Sequence, residues 1–250
     1  MKYHFDPLRS FSESHMLIGK ALDLSPEAIV ISERTLRRVE PERLAGFRQH
    51  YREQLSSFDP ASQYKFAELP VWTASMAQIA LALGLHASGS LSVLDIGMGG
   101  GAFSAILETL EHRAVGTDIE NPWYRDLCHL LDVKRVICPV EPFTPYRIHG
   151  APFDLITILR PTFHRKTVVG GRHYWGEAEW RFLLFDLIRN NLSKDGKFFL
   201  MMPYDKVGNR EAGPSFLMEW CQKRGAKLIR VSAGRVNSIL IEGPALSAFR

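Results

Sequence analysis

The sequence predicts an α/β fold: a doubly wound mixed sheet of seven strands preceded by an N-terminal helical extension. Three observations predict it. After residue 88, short apolar strands alternate with amphipathic helices. A glycine-rich turn, Gly97-Met98-Gly99-Gly100-Gly101, lies between the first strand and the first helix of that series. The last two strands are joined by only Ser232-Ala233-Gly234-Arg235, a link so short that it forces a hairpin and makes the last strand antiparallel.

The extension is read as residues 1–88. Ser25-Pro26-Glu27 supplies an N-cap followed by proline at the first helical position. Ser32-Glu33-Arg34-Thr35-Leu36 and Pro41-Glu42-Arg43-Leu44 read as two further helix starts. From Pro41 to Leu55 the apolar residues Leu44, Phe47, Tyr51 and Leu55 form one stripe, which predicts a single amphipathic helix. A helix opening at Pro70-Val71-Trp72 runs through Ile79 and Leu83 to Gly84, and Ala87–Ser90 is a short linker.

The second part, residues 89–250, is read as the sheet domain. Its predicted strands are Ser92–Ile96, Ala114–Ile119, Arg135–Val140, Phe153–Leu159, Lys197–Met202, Lys227–Val231 and Val236–Ile241. Its predicted helices are Ala102–Leu110, Tyr124–Leu131, Glu177–Leu192 and Ser215–Arg224. Strand and helix alternating in this way imply a parallel sheet covered by helices on both faces, with the terminal hairpin added.

Composition narrows the class. Of the 250 residues, 46% are hydrophobic and 23% charged, which excludes a disordered chain. The longest apolar run, Ile79–Leu85, is far short of the roughly 20 residues that span a bilayer. The opening MKYHFDPLRSFSES lacks the apolar segment of a secretory signal, so the expected location is the cytoplasm. Cys128, Cys138 and Cys221 form no CxxC pair, which points to a reducing compartment and gives no metal site. Residues 1–150 carry 15 Lys/Arg against 18 Asp/Glu, and residues 151–250 carry 16 against 9, so the net charge of +4 resides in the C-terminal part. That asymmetry suits either a solvated basic surface or an anionic ligand.

The chemistry-bearing feature is Val93-Leu94-Asp95-Ile96-Gly97-Met98-Gly99-Gly100-Gly101-Ala102-Phe103, a strand ending in a tight turn that feeds a helix. Glycines there permit positive φ and close approach of a ligand to the backbone. About 20 residues on, a second strand ends in Thr117-Asp118, where a carboxylate can accept hydrogen bonds from both hydroxyls of a ribose. Gly97-x-Gly99-x-x-Ala102 also satisfies the dinucleotide fingerprint, so a nicotinamide-dependent oxidoreductase is an alternative. Asp95 opposes it: a carboxylate beside the turn repels a pyrophosphate but meets an ammonium group or orients the loop. The helix after the turn has no basic residue in its first turns either. The site suits a nucleoside with a zwitterionic tail.

Together with VGTDIE, FDLITIL, LSKDGKFFLMM and the terminal hairpin, this run resembles the class I S-adenosylmethionine-dependent methyltransferases over roughly residues 70–243. The segments PFDLITILRPTFHR and WGEAEWRFLLFDLIRNNLSKDGKFFLMM also resemble a group of bacterial methyltransferases with no assigned substrate. The resemblance implies strand order 3-2-1-4-5-7-6, with S-adenosylmethionine held over the C-terminal ends of strands 1 to 4. It implies that Asp95, Gly97, Gly99 and Gly101 cradle the methionine part, that Asp118 holds the ribose, and that Ile119 packs on adenine; Met98, within the turn, is a further cofactor-binding candidate. Val140 and Glu141 stand for the adenine contacts at the end of strand 3, where the family's usual acidic residue is missing. Leu159, ending strand 4, joins the cofactor-binding candidates. Tyr64 and Lys65 are placed to reach the cofactor's carboxylate if the extension forms a lid.

Methyl transfer from a sulfonium is an in-line displacement in which the protein mainly orients and desolvates. In doubly wound sheets the acceptor enters beyond the carboxyl ends of the strands. The segment Arg160–Glu177, RPTFHRKTVVGGRHYWGE, is read as a long functional loop there. His164 and His173 are candidate general bases for a hydroxyl acceptor. Arg160, Arg165 and Arg172 are candidates to hold an anionic acceptor. Tyr174 and Trp175 either contact the acceptor or anchor the loop on the next helix. The [DN]PP[YF] box that follows strand 4 in many nucleic-acid methyltransferases is replaced by Leu159-Arg160-Pro161-Thr162. The expected acceptor is therefore a small molecule, with anionic compounds and sugar derivatives in view. An RNA or DNA methyltransferase and a silent binding protein of this fold remain alternatives, and the oligomeric state is open.

Overall fold

A computed structural model describes residues 24–57, 69–168, 171–202, 206–207, 210–211, 215–231 and 238–250. The chain divides into two compact units. One comprises residues 1–90, 98–112 and 120–135; the other comprises 91–97, 113–119 and 136–250.

The first unit is helical. Helix α1 (Pro26–Leu36) starts as the sequence predicts: Ser25 Oγ accepts from the backbone N–H of Ala28 at 3.2 Å. The second start expected at Ser32 is not one. Ser32 and Thr35 lie inside α1 and are buried, Ser32 donating to the Pro70 carbonyl at 3.2 Å. The helix expected from Pro41 to Leu55 breaks at Tyr51 (φ −100°, ψ 16°) into α2 (Pro41–His50) and α3 (Arg52–Ser57). The break lets the Tyr51 ring pack between Phe47 and Trp123 and brings its hydroxyl within 2.7 Å of Asp126 Oδ2. Helix α4 (Leu69–Ala82) ends at Gly84, which takes the left-handed conformation (φ 71°) that glycine adopts without steric cost. Helices α5 (Ala102–Thr109) and α6 (Pro122–Leu130) complete the unit. Thr35 and Arg38 fasten α1 to α5, through Thr109 at 3.0 Å and Glu108 at 3.0 Å.

The second unit holds the seven-stranded sheet. Its strands are β1 (Ser92–Ile96), β2 (Arg113–Asp118), β3 (Arg135–Ile137), β4 (Phe153–Leu159), β7 (Leu192–Met201), β10 (Lys227–Ile229) and β11 (Ser238–Ile241), in spatial order β3-β2-β1-β4-β7-β11-β10. Counted along this sheet alone, the order is 3-2-1-4-5-7-6. β1 runs parallel to β2 and β4, and β4 parallel to β7. β11 is antiparallel to both β7 and β10, as the terminal hairpin requires. Leu94, Ile96, Phe153, Ile156, Ile158, Leu192, Phe198, Leu200, Ile239 and Ile241 of the sheet are buried in the core. Trp180, Leu183, Leu184, Leu187 and Ile188 of α7 (Glu177–Asn190) and Leu217 and Cys221 of α8 (Ser215–Gln222) pack into the same core.

In the sheet unit, three features also differ from expectation. β3 stops at Ile137 and not at Val140, because Pro139 and Pro142 have no N–H to give a ladder. β7 starts at Leu192, which was expected to end a helix. Leu192 pairs with Phe153 and the register then shifts so that Lys197 meets Leu155. The segment read as a loop from Arg160 to Glu177 contains a hairpin, β5 (Arg165–Val168) with β6 (Gly171–Tyr174). A second small hairpin joins β8 (Lys206–Val207) and β9 (Arg210–Glu211). Among the described residues, no helix is long and apolar enough to cross a membrane. None of Cys128, Cys138 and Cys221 forms a disulfide, and burial pushes the Cys221 thiol up to about 12.

Candidate functional site

The site is built on the carboxyl ends of three neighbouring parallel strands. Ile96 of β1 pairs with Thr117 of β2 and with Ile158 of β4. Gly97, Asp118 and Leu159 therefore stand side by side, one residue beyond that row. Gly97 is fixed there because its N–H donates to the Thr117 carbonyl at 2.8 Å. On opposite sides of β1 the chain moves to β2 and to β4, so this is the point where the strand order reverses. Crevices at such points are where open α/β sheets bind ligands.

Each turn glycine has its own reason. Gly97 has φ 73°, and a Cβ built on it meets nothing within 4 Å among the described residues. It faces open space at the strand ends, a cradle that a ligand can enter and that a methyl group would fill. Within the helical unit, Gly101 has φ 82° and caps α5; its Cβ would sit 2.5 Å from Val133 Cγ2 and 3.3 Å from Met98 Cε. Gly100, which the sequence reading left without a role, is also a packing glycine, since its Cβ would lie 2.7 Å from Leu127 Cδ1. Gly99 has φ 56° and room to the nearest side chain, Tyr124, at 3.9 Å. Met98 is buried.

Asp95 is 1% exposed and accepts from the Thr157 hydroxyl at 2.9 Å. Its neighbour on the other side in the sheet is Gly116, which has no side chain to crowd it. A buried carboxylate held by a buried hydroxyl is suited to orienting the turn that follows it. Asp118 is half-buried at the end of β2, with Oδ1 accepting from the Ile119 N–H at 2.7 Å. Ile119 is 49% exposed, an apolar surface beside that carboxylate. Val140 is buried, Glu141 exposed and Leu159 half-buried.

The residues proposed for the acceptor fall into two groups. Arg160 follows β4 directly and has φ 51°, a left-handed conformation uncommon for a residue with a side chain. Its N–H donates to the Met201 carbonyl at 2.7 Å, which holds that backbone in place. Burial pulls its guanidinium below the ordinary arginine range. His164 is 3% exposed and lies among aromatic rings, 5.5 Å from Trp180 and 6.3 Å from Phe163. Its carbonyl accepts from the Trp175 N–H at 2.9 Å and closes the base of the β5–β6 hairpin. Trp175 is 4% exposed and packs against Phe163 and Trp180. That packing suits an anchoring role for the ring on the helix that follows. Arg165, Arg172, His173 and Tyr174 lie on the hairpin strands, Arg165 paired with Tyr174 and His173 with Lys166. Tyr64 and Lys65 lie outside the described residues.

The sheet order, with its single antiparallel strand between two partners, decides the architecture. The fold is the class I methyltransferase fold. No protein-family model matches the sequence, and no curated protein matches it. Among solved structures, the chain is similar to the glycopeptide N-methyltransferase MtfA, at 14% identity over 67% of this chain and 88% of that one, with a TM-score of 0.44. It is also similar to a TehB-like SAM-dependent methyltransferase from Corynebacterium glutamicum, at 16% identity over 80% and 98% of the two chains, TM-score 0.44. A third is the ribosomal protein L11 methylase from Lactobacillus delbrueckii subsp. bulgaricus, at 15% identity over 66% and 76%, TM-score 0.43.

Proposed function

We propose that this chain is an enzyme that binds S-adenosylmethionine and moves its methyl group to a small-molecule acceptor, with anionic compounds and sugar derivatives the first candidates. The observation that carries the reading is the row at the strand ends. Gly97 opens a backbone cradle, and Asp118 stands beside it on the next strand with a half-buried carboxylate. A zwitterionic nucleoside needs both: close backbone approach for its tail and an acceptor pair for its ribose hydroxyls.

When bound, S-adenosylmethionine would supply an electrophilic methyl carbon, open to in-line displacement from its sulfonium by the acceptor. The protein's own part is placement. Asp95, fixed by Thr157, orients Gly97 at the end of its strand. Asp118 would accept hydrogen bonds from the ribose hydroxyls, Ile119 and Val140 would offer apolar contact to the base, and Glu141 and Leu159 would complete the rim. Arg160, its backbone held against β7, presents a partly desolvated cation to an anionic acceptor. If the acceptor carries a hydroxyl, its proton passes to a base, for which His164 and His173 are the candidates. The free cysteines suit a reducing, cytoplasmic setting.

The test is to incubate the protein with methyl-labelled S-adenosylmethionine and a panel of small carboxylates, phosphates, sugar derivatives and neutral amines. Label is expected in an anionic acceptor or a sugar derivative. In Arg160→Met, transfer to anionic acceptors falls about tenfold or more, the worth of one charge-assisted hydrogen bond, while neutral acceptors are unaffected. Transfer to none of these classes, or an equal loss for charged and neutral acceptors, contradicts the reading.

A further inference from the structure

Tyr146 stands in the segment between β3 and β4, which nothing in the motif pattern marks. It is 3% exposed. Its hydroxyl is hydrogen-bonded to Thr117 Oγ1 at 2.6 Å and to the Cys138 carbonyl at 3.2 Å. Its backbone is held from the other side. The Tyr146 N–H donates to Asp186 Oδ2 at 2.6 Å, and its carbonyl accepts from Asn191 Nδ2 at 2.9 Å. Asp186 is itself fixed by Arg147 and Asn190, each at 2.9 Å. The phenol is thus a rigid strut between the C-terminal end of α7 and the end of β2.

What the strut touches matters. Thr117 immediately precedes Asp118, and its carbonyl is the one that receives the Gly97 N–H. Cys138 donates its own N–H to the Asp118 carbonyl at 2.9 Å. The two groups that Tyr146 holds therefore belong to Thr117, just before Asp118, and to Cys138, the residue bonded to the Asp118 backbone. A phenylalanine would fill the same core space. The extra hydroxyl must be desolvated, and it is tolerated only because both bonds are made. Burial drives its ionisation far above the ordinary tyrosine range, so it stays a neutral hydrogen-bonding group at every working pH.

We infer that Tyr146 is a positioning residue: through Thr117 and Cys138 it fixes the Asp118 carboxylate for recognition of the ribose hydroxyls. The inference rests on the cofactor reading given above. It predicts a loss confined to the ribose, since the cradle at Gly97 is held by the backbone bond to Thr117 and needs no phenol.

The experiment is calorimetric titration of the full chain with S-adenosylhomocysteine and with its 2′-deoxyribose analogue. Hydrogen bonds to a charged group are worth about 1.5–3 kcal/mol, so the wild type is expected to prefer the ribose form by about 10-fold or more. In Tyr146→Phe that preference collapses to about 3-fold or less, while the deoxy analogue binds as it does to the wild type. Thr117→Val removes the same bond from the opposite side and is expected to give the same collapse; it serves if Tyr146→Phe fails to fold. Undiminished preference in the variants, or an equal loss for both ligands, overturns the inference and leaves the cofactor reading standing. A wild type that binds the ligand without any preference removes the ribose role of Asp118 and the inference with it. No binding of either ligand to the wild type overturns the cofactor reading itself.

Discussion

Replacing Gly97 and Gly101 each by alanine adds the same methyl group at two positive-φ positions in one turn, and the structure predicts opposite consequences. Both variants bear a left-handed alanine, at a cost of about 1–2 kcal/mol. At Gly101 the new Cβ also lies 2.5 Å from Val133 Cγ2 and 3.2 Å from Cys128 Sγ, inside a packed helical interior. Overpacking of that kind adds about 1–3 kcal/mol, for a total of about 2–5 kcal/mol. In a chain of this length, roughly 2–4 °C of melting temperature goes with each kcal/mol, so Gly101→Ala should melt about 4–20 °C lower. At Gly97 nothing among the described residues lies within 4 Å of the new Cβ, so only the conformational cost applies. Its methyl group instead occupies the cradle, and S-adenosylhomocysteine should bind at least about tenfold more weakly, by the 1.4 kcal/mol that defines a decade. Thermal unfolding and calorimetry on the two variants separate the cases. Val133→Ala in the Gly101→Ala background should recover part of the loss, a coupling expected of residues in contact. A Gly101→Ala protein as stable as the wild type, or a Gly97→Ala protein with undiminished affinity, refutes the reasoning.

Thr157→Val leaves the buried Asp95 carboxylate short of a donor; it should lower stability by about 1–3 kcal/mol, read as a shift in the urea midpoint at unchanged slope. Tyr51 reports on alkaline pH. Burial first, then the hydrogen bond to Asp126 and its charge, push the Tyr51 phenol from 10.0 up to about 12. The folded state therefore keeps that proton longer than the unfolded chain. Its contribution is fully present below about pH 10 and is lost as the pH rises through about 12. Tyr51→Phe should flatten the fall in urea stability across that window, and an unchanged slope would show that Tyr51 does not cause it. Arg160→Gly relieves a left-handed backbone and should raise the melting temperature by a few degrees, at about 1 kcal/mol, while losing transfer to anionic acceptors. A lower melting temperature would mean that the guanidinium contributes more to the fold than its backbone costs.

What the sequence revealed and what it concealed follow from the range of the forces involved. Ser25 capping α1, Gly84 ending α4 and the apolar runs of β1 and β4 are local signals, and they place those elements to within a residue or two. The break at Tyr51 goes with contacts to Trp123 and Asp126, far along the chain, which the unbroken apolar stripe does not contain. The early start of β7 comes from pairing Leu192 with Phe153, a cross-strand choice that helical periodicity in the preceding residues masks. The β5–β6 hairpin had a readable signal in Thr167-Val168-Val169-Gly170-Gly171, β-branched residues running into Gly-Gly, which the surrounding charges obscured. In the site, Asp95, Gly97 and Asp118 were legible because their spacing follows the strand–turn–helix geometry. The bonds of Thr157 to Asp95 and of Tyr146 to Thr117 were not, because they depend on sheet register and on contacts between residues far apart in the chain. Gly100 shares the turn with its neighbours, and only Leu127 reveals that it serves packing.

The most direct measurement is calorimetric titration of wild type and Asp118→Ala with S-adenosylmethionine and S-adenosylhomocysteine, with NAD as the control. The account predicts micromolar binding of both adenosyl ligands, near −8 kcal/mol, and none of NAD. Asp118→Ala should bind them about tenfold or more weakly, for the loss of charge-assisted bonds to the ribose. Adenosyl ligands that fail to bind below millimolar concentration, or NAD binding as tightly as they do, would contradict it.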